Sequence, residues 1–330
     1  MYSLEDRLIR KIGKATKSAK PQGSGSLRLG LGDDAALWTP RPGYETIFTC
    51  DWFLEGSHFL RDTDPPDSVG WKCLARAVSD AAAMGGQPKC FLLGLALPLS
   101  HTGRWLARFL AGLGRAARRF DCRLAGGDTT RRDRILIHIA VLGEVRSGGA
   151  VLRSGAKAGD LIFVSGRLGE AEFGLRSLGR GRTPNRRTIP SVRKHLYPAP
   201  RLALGRWLAE KRMATSMMDL SDGLSSDLPR LCAASGVGAL IDAGKIPLVK
   251  PAQSRGLTAS SRLALALNGG DDYELLFTVR PGQARRLPPR FEGTPISCVG
   301  VITRKRAIEV LRADGGKKNL LPGGWDPFRR

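Results

Sequence analysis

Apolar positions along the chain fall into short alternating runs and longer runs at helical spacing. ETIFTCD at 45–51 alternates and ends on Asp51, while FLLGLALP at 91–98 is almost continuously apolar, so the two predict a half-buried strand and a more buried one. Between them Leu74, Ala77, Val78, Ala81 and Met84 recur at helical spacing within PPDSVGWKCLARAVSDAAAMGG. That stretch predicts a helix capped by Asp64, with Pro65 at its first position and Gly85-Gly86 as its stop. Asp80 then lies in or near the last turn, where the helix dipole disfavours a carboxylate. A partner cation would explain the placement; a plain exposed aspartate is the alternative, because the penalty is only about 0.3 to 1 kcal/mol. A second helix is predicted over 103–119, followed by the apolar CRLA, a GGDTT turn and the alternating ILIHIAVLGEV, in which His138 reads as structural.

The pattern restarts near residue 150. VLRSGAKAGDLIFVSG predicts a turn leading into a strand, GEAEFGLRSLG a helix, and the Arg/Gly/Pro-rich 179–190 a mobile loop. A helix through ALGRWLAEKRM, a strand TSMMDL, an SDGL turn, a helix to Ala234, a strand GVGALID and the run ALNGGDDYELLFTV follow, with GGWDPF near the end. Strands and helices near alternation in both halves predict an α/β (α+β) chain of two domains, 1–149 and 150–330, with mixed sheets flanked by helices.

Composition narrows the function classes. With 330 residues, 42% hydrophobic and 25% charged, the chain has ordinary globular composition. Its 6 cysteines contain no C-x-x-C pair, which fits reduced thiols and a cytoplasmic location. No apolar run approaches the roughly 20 residues of a membrane span, and MYSLEDRLIRKIGK lacks the apolar core of a signal peptide. The net charge of +23 raises nucleic acid as a partner. Its basic residues are dispersed through RAARRF, RRDR and RGRTPNRR with few aromatics among them, so the charge reads as a solvated surface and nucleic acid as an unlikely ligand.

Candidate chemistry lies in the acids. GDD at 32–34, TCD at 49–51, SD at 79–80, GGD at 126–128, DLSDG at 219–223 and GGDD at 269–272 recur in a chain otherwise poor in acid. Read alone, the Asp33-Asp34 pair either faces water as ordinary turn chemistry or holds a metal, since two carboxylates aimed at a pyrophosphate would repel it. Taken together, glycine-borne aspartates from several loops suit Mg²⁺ held between carboxylates and substrate phosphates. The chain has no GxxxxGK[ST] P-loop, no kinase HRD and DFG pair and no G-x-S-x-G elbow, which excludes the familiar nucleotide and hydrolase folds.

GLGDDAA, TCDWFLEGSHF, WKCLARAVSDAAAMGGQP, LAGGDTTR, RSGAKAGD, RKHLYPAPRLALG, MDLSDGLSSDL, NGGDDYELLF and GWDPF occur in this order along almost the whole chain. Together they resemble the thiamine-monophosphate kinases, within the superfamily of aminoimidazole ribonucleotide synthetase. The resemblance implies a two-domain fold of that type and a homodimer with ATP near the subunit junction. It also implies phosphorylation of thiamine monophosphate by ATP to thiamine diphosphate, the last step of that cofactor's synthesis, assisted by several Mg²⁺ ions. It assigns metal ligation to Asp34, Thr49, Cys50, Asp51, Asp80, Asp128, Asp219 and Asp222, and ATP contact to Gly127, Asp128, Arg153 and Ser221. His58, Asp271 and Trp325 fall on substrate positions. Cys50 replaces a usual hydroxyl residue and is a poor Mg²⁺ ligand, leaving its backbone carbonyl as the donor; Asp271 replaces a usual Glu. Read without the resemblance, His58 is a core histidine and Trp325 a packed terminal residue. The alternatives are another ATP-using enzyme of the superfamily and a basic nucleic-acid-binding protein without catalysis. Selenophosphate synthetase would want a reactive Cys or selenocysteine with a lysine in the N-terminal glycine-rich segment, and GSGSLRLGLG has neither.

Overall fold

The computed structural model describes residues 4–16, 25–179, 189–250, 252, 254 and 256–328. Residues 180–188 of the expected 179–190 loop lie outside the described residues. The chain forms two compact units, residues 1–81 with 86–148, and residues 82–85 with 149–330.

The first unit contains, in chain order, α1 (Leu4–Ala15), β1 (Leu27–Leu29), β2 (Leu37–Trp38), β3 (Tyr44–Leu54), α2 (Pro66–Ala83), β4 (Gln87–Leu97), α3 (Arg104–Arg119), β5 (Arg123–Arg131) and β6 (Leu136–Arg146). Its main sheet has the order β3-β6-β4-β5. β4 and β5 are parallel, so the chain must cross over between them, and α3 supplies the crossover. One stripe of α3 is buried (Leu106, Phe109, Leu110, Leu113, Ala116 and Ala117), and Gly112 meets α2 so closely that a Cβ would lie 1.8 Å from the Asp67 carbonyl oxygen.

Three expectations change here. Asp51 lies inside β3 and not at its end, because β6 pairs with β3 without interruption from Tyr44↔Arg146 to Leu54↔Leu136. Asp128 likewise lies inside β5: Gly126 and Gly127 do not turn the chain but continue alongside β4, where a Cβ on Gly127 would sit 2.0 Å from the Leu93 oxygen. Pro66, not Pro65, opens α2, and Asp64 instead closes the preceding turn by accepting from the Leu60 amide (3.1 Å) and the Thr63 hydroxyl (2.9 Å). The predicted stop of α2 holds: Gly85 takes φ +71°, and its amide and that of Gly86 donate to Ala82 and Ala81 carbonyls.

The second unit contains β7 (Leu161–Ser165), α4 (Glu170–Gly179), α5 (Pro190–Leu196), α6 (Leu202–Glu210), β8 (Ala214–Leu220), α7 (Leu224–Ser235), β9 (Gly238–Asp242), α8 (Ala259–Asn268), β10 (Glu274–Val279), α9 (Pro281–Ala284), β11 (Arg290–Phe291), β12 (Thr294–Thr303), β13 (Ile308–Leu311) and β14 (Lys317–Asn319). Its mixed sheet runs β14-β13-β9-β12-β7-β10-β8, with β11 hydrogen-bonded to β12. The continuous apolar ELLFTV becomes the fully buried β10 because both faces of the sheet are covered. On one face Val164, Met218 and Leu276 pack with Leu224, Leu228 and Leu231 of α7; on the other Phe163, Met217, Leu275 and Phe277 pack with Leu204 and Leu208 of α6. The α/β class with helices flanking mixed sheets is the one expected from the sequence.

Candidate functional site

In the first unit β3 sorts the expected ligands by face. Thr49 and Asp51 point toward α2: the Thr49 hydroxyl donates to the Asp80 carboxylate, and Asp51 lies 3.8 Å from Arg76. Cys50 alternates to the other face and is exposed with Phe48 and Trp52, so its thiol points away from Thr49 and Asp51 and only its backbone can act with them. Asp80 stands in the last turn of α2, which carries no basic residue. Asp128 is exposed on β5 opposite Gly94, and Asp34 is exposed in the turn between β1 and β2. Asp33 there acts as a turn former, its carboxylate accepting the Asp34 amide at 2.9 Å. His58 accepts the Leu54 amide on Nδ1 at 3.0 Å, which places the proton of its neutral ring on Nε2.

The second unit draws three distant segments together. β8 ends on Asp219 and Leu220, and the turn after it bonds outward twice: the Asp271 amide donates to the Ser221 carbonyl and the Trp325 amide to the Asp222 carbonyl, both at 2.8 Å. Asp219 is buried, whereas Trp325 is 46% exposed beside the turn. Gly223, at φ +103°, opens α7, and the Asp227 carboxylate gathers the Asp222 and Gly223 amides at 3.1 Å each. Arg230 spans both acids, 2.5 Å from Asp222 and 2.8 Å from Asp227. Burial, followed by the Asp222 charge, pushes the Asp227 carboxyl up to about 7 against the opposing pull of Arg230. Arg153 is exposed just after Leu152, whose carbonyl accepts the Met217 amide at 2.9 Å.

In each unit the expected metal-ligand side chains other than Cys50 fit a hard divalent ion by donor type, being carboxylates or, for Thr49, a hydroxyl. Among the described residues no three His, Cys, Asp or Glu side chains converge as a ready-made metal centre. That is compatible with Mg²⁺, which is commonly held by one or two carboxylates together with water and substrate phosphates.

The AIR synthase related protein N-terminal domain matches residues 32–145, and the corresponding C-terminal domain matches residues 157–311. The thiamine-monophosphate kinase of Escherichia coli (strain K12) is 37% identical over 311 residues, covering 92% of each chain. The chain belongs to the thiamine-monophosphate kinase family. The crystal structure of the Stenotrophomonas maltophilia K279a enzyme superposes with a TM-score of 0.81 at 35% identity, covering 93% of this chain and 96% of that one. AaThiL complexed with AMPPCP and TMP superposes with a TM-score of 0.76 at 31% identity, covering 99% of each chain.

Within this family fold, sequence reasoning overlooked the buried charges beneath the Asp271 turn. Glu274 is fully buried, accepting from Arg201 Nε and Nη2 (2.6 Å each), Lys194 Nζ (3.0 Å) and the Ser165 hydroxyl (2.6 Å). Burial alone would raise its carboxyl, but the Lys194 and Arg201 charges and these hydrogen bonds outweigh it and hold the group at about 2. The RKHLYPAPR motif that supplies Lys194 and Arg201 carried the resemblance, yet only its pairing with DYELLF across the fold reveals a role.

Proposed function

We propose that this chain transfers the γ-phosphoryl group of ATP to the phosphate of thiamine monophosphate, yielding ADP and thiamine diphosphate. The observation that carries the reading is the convergence of Asp219, Ser221 and Asp222 with Asp271 and Trp325, held by two backbone hydrogen bonds between segments remote in sequence. The kinship with thiamine-monophosphate kinases over 92% of the chain supplies the reaction. AaThiL complexed with AMPPCP and TMP supports ATP and thiamine monophosphate as the two substrates.

The attacking phosphate oxygen is already anionic, so the reaction needs no strong general base; the difficulty is bringing two polyanions together. In the first unit Asp34, Thr49, Asp51, Asp80 and Asp128 would hold Mg²⁺, with Cys50 contributing only through its backbone; in the second unit Asp219 and Asp222 would do so. The ions supply charge neutralisation between donor and acceptor phosphates. Gly127, Ser221 and the exposed guanidinium of Arg153 serve the nucleotide, the last suited to bidentate phosphate contact. His58, Asp271 and the exposed ring of Trp325 serve the thiamine end. The first unit thus carries most of the proposed metal ligands, and the second carries Arg153, Ser221, Asp271 and Trp325.

Homodimerisation is part of this proposal. The face of the four-stranded sheet opposite α2 exposes Phe48 (72%), Trp52 (57%) and Leu92 (38%), an apolar surface suited to a second copy. No described helix is long and apolar enough to cross a membrane, which supports, with the free cysteines, a cytoplasmic enzyme. Incubation with ATP, Mg²⁺ and thiamine monophosphate, beside free thiamine, tests the reading by chromatography. Thiamine diphosphate formed only from the monophosphate is expected; no phosphorylation of either compound at any metal concentration would overturn it.

A further inference from the structure

The turn that presents Asp271 is held in an unusual backbone conformation. Asp271 (φ +68°) and Tyr273 (φ +48°) are both left-handed, although neither is glycine. Such a conformation persists where surrounding structure over-determines it, and here every residue of the turn is anchored. The amides of Asp271 and Tyr273 donate to Ser221 and Leu220 carbonyls at 2.8 and 2.9 Å. Between them, the buried Asp272 carboxylate accepts the Gly169 and Ala171 amides at the start of α4, at 2.5 and 3.1 Å. Lys194 Nζ stands 3.4 Å from Asp272 and 3.0 Å from Glu274, tying α5 to both sides of Tyr273.

With the backbone fixed in this way, two buried polar side chains meet the partly exposed Asp271 carboxylate. The Tyr273 hydroxyl donates to Oδ1 at 2.8 Å, and His195 Nδ1 lies 3.8 Å from Oδ2. Tyr273 is 2% exposed and the His195 side chain 3%, against 25% for that of Asp271. His195 follows Lys194 directly on α5, so the ion pairs that hold Lys194 also fix the approach of the imidazole.

We propose that Tyr273 and His195 are positioning residues for the Asp271 carboxylate, the tyrosine by its hydrogen bond to Oδ1 and the histidine by standing beside Oδ2, and that they thereby set recognition of the thiamine end of the acceptor substrate. This rests on the reading of Asp271 as a substrate-side residue. Both act through Asp271 on the acceptor, so their loss weakens acceptor binding and leaves ATP binding intact. A merely structural tyrosine or histidine would lower thermal stability without separating the two KM values.

The test is a double-mutant cycle over Asp271→Ala and Tyr273→Phe, with KM for both substrates, kcat and thermal midpoints measured for each variant. Tyr273→Phe is expected to raise KM for thiamine monophosphate about five-fold, with KM for ATP unchanged, and to add nothing in the Asp271→Ala background. His195→Asn, which keeps a polar group near the Nδ1 position, is expected to retain more acceptor affinity than His195→Leu. Equal effects of Tyr273→Phe with and without the Asp271 carboxylate would overturn the positioning role while leaving Asp271 in place. An unchanged acceptor KM in folded Tyr273→Phe would overturn it too. Unchanged acceptor kinetics in Asp271→Ala would instead remove the substrate-side reading itself. Should Tyr273→Phe fail to fold, the His195 pair decides: equal acceptor KM in His195→Asn and His195→Leu counts against the proposal.

Discussion

Thr49 and Asp80 touch across β3 and α2, and that single contact joins two acids' worth of sequence pattern, TCD and SD, into one local surface. The placement of Asp80 in the last turn of α2 was legible from periodicity and the Gly85-Gly86 stop; its partner was not, because contact between a strand and a helix about thirty residues later leaves no local signal. Cys50 illustrates the converse. Its neighbours made it a ligand by sequence position, but period-2 alternation sends its thiol to the opposite face of β3 from Thr49 and Asp51. On the proposed metal role we expect Asp80→Asn to reduce turnover by at least about 100-fold while the protein stays folded, since a carboxylate proposed to hold the charge-neutralising ion is lost. Cys50→Ala should keep both activity and the Mg²⁺ dependence of the wild type. Titration of rate against Mg²⁺, with circular dichroism for folding, checks both variants; near-wild-type turnover in Asp80→Asn counts against the metal role.

At the scale of elements, the sequence showed the type of most strands and helices but misplaced two candidate ligands within them. Asp51 and Asp128 were expected at strand ends, and both lie inside strands because pairing with β6 and β4 continues past them. Long-range pairing decides this, and single-chain periodicity does not contain it. The helix α5 went unread, since KHLYPAPR offers only a short helical stretch between prolines, yet it supplies Lys194 and His195 to the turn before β10. The ion pairs there give this element a distinctive acid response. Because the Glu274 carboxyl is held at about 2, below its ordinary 4.5, its contribution to stability is fully present above pH 4.5 and is lost as pH falls toward 2. Glu274→Gln should lower the thermal midpoint at pH 7, leaving Lys194 and Arg201 without their shared buried partner. The variant should also lose less stability than the wild type between pH 4.5 and pH 2 in parallel melts; identical acid profiles would mean that Glu274 does not carry this dependence.

For the whole molecule, the order of motifs identified the family, and the two-layer cores of the second unit follow from its continuous apolar strands. The convergence of Ser221 and Asp222 with Asp271 and Trp325 lies at the limit of what sequence can show: the motifs name the residues, but only the fold shows the Asp271 backbone bonded to Ser221 and that of Trp325 to Asp222. The exposed Phe48, Cys50 and Trp52 stripe gives the whole-molecule prediction of assembly. Trp52→Glu should shift a dimer toward monomer in sedimentation equilibrium, because burying an unpaired charge in an apolar interface is costly; an unchanged sedimentation mass would place any dimer contact elsewhere. The central claim is direct transfer from one phosphate to another. It is tested most directly by supplying ATP labelled in its γ-phosphate together with Mg²⁺ and thiamine monophosphate, and locating the label after turnover. The account predicts label in the terminal phosphate of thiamine diphosphate, formed one for one with ADP. Label released wholly as inorganic phosphate, with no labelled thiamine diphosphate, would contradict it.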